Sequence, residues 1–392
     1  MRIDISNITS RILLLFVIMM LSACGGGGEP SEVTTPAQSV VITNDVATTT
    51  LKDGSVVETA ALVALGDLLY HDQNLSTPAG QSCASCHLQT AGFADPNQNN
   101  PTSIGADSIN FGTRNSPTAS YSAHIPEFQT VQRVPVAGGQ PQATFIGGLF
   151  WDGRANDLEE QAMGPFLNPV EMANPDEATV IDKVRNSAYA GDFEALFGAN
   201  ILNDSARSYE YVADAIAAFE RTELFSPFNS TFDQVLAGTA VLTQQERRGQ
   251  NIFNGRAQCA RCHLAQPDEV ELFTDFQYHN IGVPSNPLLP ALMNDSTFVD
   301  LGLGAVTGNA QDDGKFRTPT LRNIALTAPY MHNGVFTTLR EVIEFYNTRD
   351  TTFNNLPEVP RNVNDALNIG ELGLSEQDID DLIAFMSLLS DQ

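Results

Sequence analysis

The sequence predicts a mostly α-helical fold built from two halves with the same plan. Two observations support this. The pattern C-x-x-C-H occurs twice, at residues 83–87 and 259–263. Each copy lies between segments in which apolar residues recur at helical spacing, and the stretches around each copy are rich in Asn, Gly, Pro and Ser. The halves share little sequence identity, so the repeat is one of arrangement.

In the first half, apolar residues at positions 62–69 share one helical face before the first C-x-x-C-H copy. Residues 95 to about 148 lack helical spacing and carry many turn formers, which predicts a long ordered loop. Helical spacing returns at 158–163 and at 209–220. We therefore expect helices on both sides of an extended loop region.

In the second half, three helix starts carry a capping box, a hydroxyl residue followed three positions later by an acid. These starts are Thr243, Thr338 and Ser375. The first of the three helices leads into the second C-x-x-C-H copy. We expect domains at 58–238 and 239–392.

C-x-x-C-H is the attachment signature of haem c. The two thiols lie about one helical turn apart and can both add to the vinyl groups of one porphyrin, while the adjacent His ligates the iron. The residues concerned are Cys83, Cys86 and His87, then Cys259, Cys262 and His263. Zinc binding or dithiol redox chemistry is the alternative, but the trailing His and the lack of further ligand pairs favour two covalent haems. The predicted fold is thus two tandem cytochrome c-like domains with long ordered loops.

Residues 1–23 have the pattern of a bacterial lipoprotein signal peptide, with arginines before an apolar run that ends in Leu-Ser-Ala-Cys. We expect Cys24 to carry the lipid, and residues 24–57 to form a flexible linker. An ordinary signal peptide with a spare cysteine is the alternative. Gly25 favours the outer membrane, so we expect an anchor on the periplasmic side.

The chain of 392 residues has five cysteines, which leaves none for a disulfide once one lipid and two haems are assigned. Its formal net charge of −27 argues against binding to nucleic acid. The same charge disfavours anionic lipid surfaces, so the lipid alone would hold the protein at a membrane. A redox partner would be basic or would dock on a neutral patch.

Several further motifs occur in a fixed order along the chain. They are R-N-S-P-T at 114–118, F-W-D-G-R at 150–154, L-E-E-Q at 158–161, G-P at 164–165, N-P-V-E-M at 168–172, P-T-L-R-N at 319–323 and T-A-P-Y-M-H-N-G at 327–334. With the C-x-x-C-H copies they resemble the bacterial di-haem cytochrome c peroxidase family, and within it the MauG-type enzymes. The resemblance extends from about residue 62 to 389.

The resemblance implies that hydrogen peroxide reacts at the haem of His87, beneath Gln161, Pro165 and Glu171. A carboxylate over an open iron position can take a proton from bound peroxide and return it to the leaving oxygen. Without the resemblance, Glu171 would be interpreted as a surface carboxylate. The resemblance also places Trp151 between the haems as an electron relay, although a core packing role is equally compatible with this residue type.

The distal ligand of the second haem separates the subfamilies. Where family peroxidases have Met, this chain has Tyr346, as the MauG type does. A hard phenolate favours ferric iron, whereas a thioether raises the potential. Met331 is the rival ligand, and a core Tyr346 beside an open haem is a third possibility. The chain has no His between Leu88 and Arg114 to cap the first haem, so we expect that haem to be five-coordinate or water-ligated and to need no reductive activation.

The resemblance further implies one calcium ion, bound by Asn115, Thr327 and Pro329. His71 and His279 are interpreted as hydrogen-bonded structural residues. The implied activity is peroxide reduction coupled to MauG-like oxidation of a protein or organic donor. The alternatives are an ordinary peroxidase served by a small redox protein, an electron carrier and a haem-based sensor.

Overall fold

The computed structural model describes residues 47–134, 139–264, 271–353, 355–364 and 369–392. The predicted signal peptide, Cys24 and the linker up to residue 46 lie outside the described residues. Within the described residues, no helix is long and apolar enough to cross a membrane.

Helices dominate the described part of the chain, which confirms the prediction of a mostly α-helical protein. The helices are α1 Thr59–His71, α2 Cys83–Cys86, α3 Leu158–Leu167, α4 Glu177–Arg185, α5 Ala190–Phe197, α6 Ser205–Glu220, α7 Thr231–Leu236, α8 Gln244–Asn254, α9 Leu289–Leu292, α10 Leu303–Thr307, α11 Leu339–Thr348 and α12 Glu376–Ser387. The strands pair only as antiparallel hairpins or short ladders: β1 Thr48–Thr50 with β2 Val56–Glu58, β3 Gln129–Arg133 with β4 Gln142–Ile146, and β5 Tyr278–His279 with β6 Phe316–Arg317.

The helices predicted from apolar residues at helical spacing or from capping boxes are confirmed. The capping boxes at Thr243, Thr338 and Ser375 are all formed, each with reciprocal hydrogen bonds. A fourth capping box, at Ser230, starts α7 within the segment between the predicted domains. Helices α4 and α5 were also not anticipated.

Two segments differ from the prediction. The proposed linker of residues 24–57 is wrong at its end, because residues 48–58 form the β1–β2 hairpin. This hairpin is held by the burial of Leu51 and Val57 in the first hydrophobic cluster. Within the loop region of residues 95–148, β3 and β4 pair in a hairpin that begins directly after Phe128. The residues of β3 and β4 alternate too weakly, and over too few positions, to be recognised as a strand pattern in the sequence.

Two large hydrophobic clusters form the core. The first is built mainly from α1, α4 and α6 and packs against Cys83. The second is built mainly from α8, α11 and α12 and packs against Cys259. Each cluster therefore supports one C-x-x-C-H copy. The exact division into domains at residue 238 stays a prediction.

Each half contains a close crossing of two helices that depends on a glycine. A Cβ atom added to Gly66 in α1 would lie 2.0 Å from the carbonyl oxygen of Ala215 in α6. A Cβ atom added to Gly249 in α8 would lie 1.9 Å from the carbonyl oxygen of Asp381 in α12. A phenylalanine four residues further along completes each contact, Phe219 or Phe385. The same crossing thus places the helix before each C-x-x-C-H copy against the last long helix of its half.

Candidate functional site

The first C-x-x-C-H copy folds into one helical turn. Cys83–Cys86 is α2, with Ser82 capping its start, and His87 follows directly. The His87 Nδ1 atom lies 3.1 Å from the carbonyl oxygen of Phe93, and burial lowers the pKa of the imidazole. A neutral ring that donates from Nδ1 leaves Nε2 as the metal-binding atom.

The second copy repeats this arrangement. Residues Cys259–Arg261 form a 3-10 turn, and the His263 Nδ1 atom lies 2.9 Å from the Phe273 carbonyl oxygen. Burial also lowers the pKa of His263. Phe93 and Phe273 both have left-handed backbone angles, with φ of 56° and 55°. Phenylalanine rarely adopts this conformation, so its occurrence at both positions indicates a shared device that orients the histidines.

A large, mainly apolar cavity opens beside the second copy, and we call it the His263 cavity. Its wall includes both cysteines of the copy, His263 and the side chains of Tyr346 and Met331. Burial strongly raises the pKa of the Tyr346 phenol. The fold therefore brings both rival ligands to the cavity and leaves the choice between them a prediction.

A second, smaller pocket surrounds Glu171, and we call it the Glu171 pocket. Its wall includes Glu160, Gly164 and Asn168 along one face of α3 and just beyond its end. The Glu171 Oε1 atom accepts a hydrogen bond of 2.7 Å from the Asn168 side chain. Burial is the main cause of the raised pKa of Cys83 and Cys86. The charge of Glu171 is a smaller cause, which shows that Glu171 lies near the first copy.

The electrostatics of the Glu171 pocket favour a carboxyl that exchanges protons. Burial raises the pKa of Glu171, and the nearby charge of Arg154 and the Asn168 hydrogen bond oppose this shift. The Arg154 guanidinium is stacked 3.6 Å from the Phe150 ring centroid. A carboxyl with a raised pKa is suited to general acid–base chemistry near neutral pH.

Gln161 and Pro165 lie on the neighbouring face of α3. They are one helical turn apart, so their side chains lie on the same side of the helix. Neither belongs to the wall of the Glu171 pocket. Pro165 is connected to the Glu171 turn through its carbonyl oxygen, which accepts from the Met172 N–H at 3.2 Å. Their predicted position over the first haem stays a prediction.

Trp151 connects the two halves of the molecule. Its Nε1 atom donates to the Asn115 carbonyl oxygen at 2.8 Å, and its own carbonyl accepts from the Arg317 N–H at 3.0 Å. The indole lines the His263 cavity. The residue after Asn115, Ser116, lies 3.4 Å from the His87 Nε2 atom. Trp151 is thus connected through Asn115 and Ser116 to His87 and lines the cavity that contains His263, a geometry compatible with the predicted relay.

The three predicted calcium ligands also lie along the His263 cavity. The Asn115 side chain uses its NH₂ group to donate to the Pro101 carbonyl at 3.3 Å, which leaves its amide oxygen available. Among the described residues, the carbonyl oxygens of Thr327 and Pro329 accept no backbone hydrogen bond. Oxygen donors of this kind suit calcium, and the ion itself stays a prediction.

An ionic chain not foreseen from the sequence runs between the Glu171 pocket and the His263 cavity. Arg154 donates to Asp152 at 2.9 Å, Asp152 accepts from Arg114 at 2.7 Å, and Arg114 holds Asp300 at 2.5 Å. Burial would raise the pKa of Asp300, but Arg114 outweighs it and lowers the pKa. Three of these residues lie within the quoted motifs, and only the fold reveals that they pair.

Three of the four histidines outside the two copies, His71, His279 and His332, are paired with acids. His71 lies 2.9 Å from Asp67, and His279 lies 3.2 Å from Asp275. Both fit the structural interpretation, although His279 also lines the His263 cavity. Cys262, Asp275 and His279 are close enough to hold a metal ion. Because Cys262 is predicted to be a haem thioether, we do not expect this cluster to be a separate metal site.

Comparisons with known proteins decide the family. A family model described as di-haem cytochrome c peroxidase matches residues 60–241. The chain is 40% identical over 354 residues to the methylamine utilization protein MauG of Paracoccus denitrificans, covering 85% of this chain and 89% of that protein. The chain belongs to the di-haem cytochrome c peroxidase and MauG family.

Two other relatives agree with this family. The chain is 31% identical over 356 residues to the cytochrome-c peroxidase IdrP1 of Pseudomonas sp. strain SCT, covering 85% of this chain and 82% of that protein. The crystal structure of the diheme peroxidase BthA from Burkholderia thailandensis superimposes with a TM-score of 0.76 at 34% identity, covering 84% and 86% of the two chains. The protein is therefore an enzyme of the di-haem peroxidase kind.

Membership of this family implies two haem groups, and the residues present fit them. Each C-x-x-C-H copy offers two half-buried thiols without a disulfide and one imidazole whose Nδ1 atom lies within hydrogen-bonding distance of a backbone carbonyl. The His263 cavity adds an apolar wall of the kind that binds a porphyrin face.

Proposed function

We propose that this protein is a MauG-like di-haem enzyme that reduces hydrogen peroxide at the haem of His87 and oxidises a protein or organic donor. The observation that carries this proposal is the position of Tyr346 in the wall of the His263 cavity, which also includes both cysteines of the second copy. A phenolate ligand would favour the oxidised state of the second iron.

Haem c held by His87 would supply an iron that can react with peroxide, and haem c held by His263 would supply one that can exchange single electrons. Glu171 accepts a proton from the bound oxygen and returns it to the leaving oxygen, and Asn168 holds its carboxylate in place. Reduction of one peroxide to two waters consumes two protons and two electrons. The donor supplies both electrons, and we propose that Trp151 conducts them between the halves.

Electron paramagnetic resonance of the ferric protein, before and after stoichiometric peroxide, tests this proposal. We expect one high-spin and one low-spin signal, both lost rapidly without prior reduction. Two low-spin signals that respond to peroxide only after half-reduction would instead identify an ordinary peroxidase, in line with relatives such as IdrP1. Two low-spin signals that never respond would identify an electron carrier.

We further propose that the protein is exported and anchored through lipid on Cys24, in the outer membrane and facing the periplasm. The lipoprotein pattern at residues 1–24 supports this proposal. The variant Cys24→Ala should move the haem-stained protein from the membrane fraction to the soluble fraction. Retention of that variant in the membrane would contradict a lipid anchor at Cys24.

A further inference from the structure

Arg317 is a buried arginine in the wall of the His263 cavity, at the end of β6. It is 8% exposed. Its Nε atom has no hydrogen-bond partner, and its Nη2 atom reaches only the Phe150 carbonyl oxygen, at 3.4 Å. Among the described residues, no carboxylate forms an ion pair with it. The guanidinium is therefore a buried positive charge that has no counter-charge within the described part of the chain.

The other buried arginines do have carboxylate partners. Arg322 donates to Asp233 at 2.6 and 2.8 Å, and Arg349 donates to Asp350 at 2.7 Å. Arg114, almost as deeply placed, bridges two aspartates. The fold thus pairs its enclosed guanidinium groups, and Arg317 is the exception among the described residues.

The nearby groups that the structure describes do not neutralise Arg317. Tyr278 is opposite it in the β5–β6 pair, but burial raises the pKa of that phenol and its hydroxyl donates to the Gly147 carbonyl. The carboxylates in the cavity wall are Asp300 and Glu358, which are engaged by Arg114 and His332. Arginine does not lose its proton in proteins, and a buried charge without a partner is strongly unfavourable.

We infer that Arg317 binds a carboxylate of the group that fills the His263 cavity, a propionate of the second haem. This inference rests on the proposed attachment of haem at Cys259 and Cys262. Both vinyl groups of a haem c are used by the cysteines, and the two propionates are its anionic groups. The planar guanidinium fork matches a carboxylate in geometry and charge.

The position of Arg317 also connects this contact to the predicted relay. Its backbone N–H holds the Trp151 carbonyl, while its side chain faces the cavity. One residue therefore fixes both the Trp151 backbone and the anionic edge of the second haem. Arg317 is a positioning residue, and its contribution is measurable without any substrate.

The test is the midpoint potential of the second haem in the intact holoprotein, by spectroelectrochemistry without peroxide. Loss of a nearby positive charge stabilises the ferric state, so Arg317→Gln should lower this potential and leave that of the first haem unchanged. We expect about a tenfold change in the redox equilibrium, equal to about 59 mV for one electron. Arg317→Lys keeps the charge and should retain most of the potential.

Arg248→Gln is the matched control, because Arg248 carries the same charge but is exposed and paired with Asp381. Equal second-haem potentials in Arg317→Gln and Arg248→Gln would overturn the inference. A wild-type protein with only one covalent haem, measured by mass and pyridine haemochrome, would instead refute the proposed function on which the inference rests.

If Arg317→Gln does not fold, infrared redox-difference spectra of wild type and Arg317→Lys replace it. The haems are labelled with carbon-13 at their carboxyl groups, so that only propionate bands shift with the label. A change in a labelled band between the two proteins supports the contact. Identical labelled bands would rule it out.

Discussion

Glu171 shows how one side chain can be set for proton transfer by its surroundings. Its carboxyl is held by Asn168, and burial raises its pKa against the opposing charge of Arg154. Glu171→Gln keeps the shape and removes the proton exchange. We expect the peroxide reaction, followed by stopped-flow absorbance, to slow by about 10²–10⁴-fold. Glu160→Gln is the control, since that acid lines the same pocket but is bound to the Asn156 amide.

The same pKa shift predicts the pH dependence of the reaction. Glu171 must be deprotonated to accept a proton from peroxide, and a raised pKa means that the carboxylate forms only at higher pH than for an exposed Glu. The rate constant should therefore fall as the pH decreases through this raised pKa. Glu171→Gln should lack this acidic limb. An unchanged acidic limb in that variant would assign it to another group.

Trp151 is the residue on which communication between the halves is predicted to depend. Trp151→Phe removes the oxidisable indole and its hydrogen bond to Asn115. Transfer of oxidising equivalents between the haems should slow by about tenfold, or about 1.4 kcal/mol of barrier, with both haems retained. Rapid-freeze paramagnetic resonance measures this transfer. A partial recovery in Trp151→Tyr is expected, and a normal rate in Trp151→Phe would disprove the relay.

At the level of secondary-structure elements, the crossings at Gly66 and Gly249 determine how each half closes around its C-x-x-C-H copy. In both crossings, a backbone carbonyl of the opposite helix occupies the place where a side chain would begin. A methyl group cannot enter this space unless the two helices separate. The two crossing positions therefore require glycine for this packing, whereas the neighbouring apolar positions of the same helices accept several apolar residue types.

Gly249→Ala should destabilise the protein by about 1–3 kcal/mol or more, as overpacking does. Gly191→Ala is the matched control, because Gly191 is also helical but an added Cβ would meet nothing within 4 Å. That control should stabilise the protein by about 0.4–1 kcal/mol. Thermal unfolding monitored by circular dichroism gives both values. Equal effects of the two substitutions would contradict the close crossing.

At the level of the whole molecule, the net charge of −27 governs the encounter with a redox partner. A basic donor should associate faster at low salt, and its kcat/KM should fall by about tenfold or more at high salt, because electrostatic steering is screened. Steady-state kinetics with a cationic and a neutral donor tests this. A rate independent of ionic strength for both donors would indicate docking on an uncharged surface.

Much of the fold and site could be predicted because short sequence patterns carry strong physical signals. The spacing of Cys83, Cys86 and His87 defines attachment chemistry, and the capping boxes define helix starts. Tyr346 is a predicted haem ligand because it replaces an expected methionine, and the fold places it in the wall of the His263 cavity. These features are local in sequence, so no knowledge of distant contacts is needed to interpret them.

The remaining features depend on contacts between distant segments. The left-handed backbone of Phe93 and Phe273 is forced by the surrounding fold against the preference of the residue type. The lack of an ion pair at Arg317 among the described residues is visible only once Asp300 and Glu358 have been assigned their partners. The β1–β2 hairpin was missed because its burial comes from helices that follow it in the chain.

The paired glycine crossings have a consequence for how such chains can evolve and be engineered. The crossing of α1 with α6 lies in the first half, and the crossing of α8 with α12 lies in the second half. A genetic exchange at a point between the two halves would therefore keep both crossings intact. Chimeras joined near residue 238 should therefore inherit intact halves from different parents. The contacts that cross this junction, such as Arg114 with Asp300 and the Trp151 carbonyl with the Arg317 N–H, would have to be matched between the two parents.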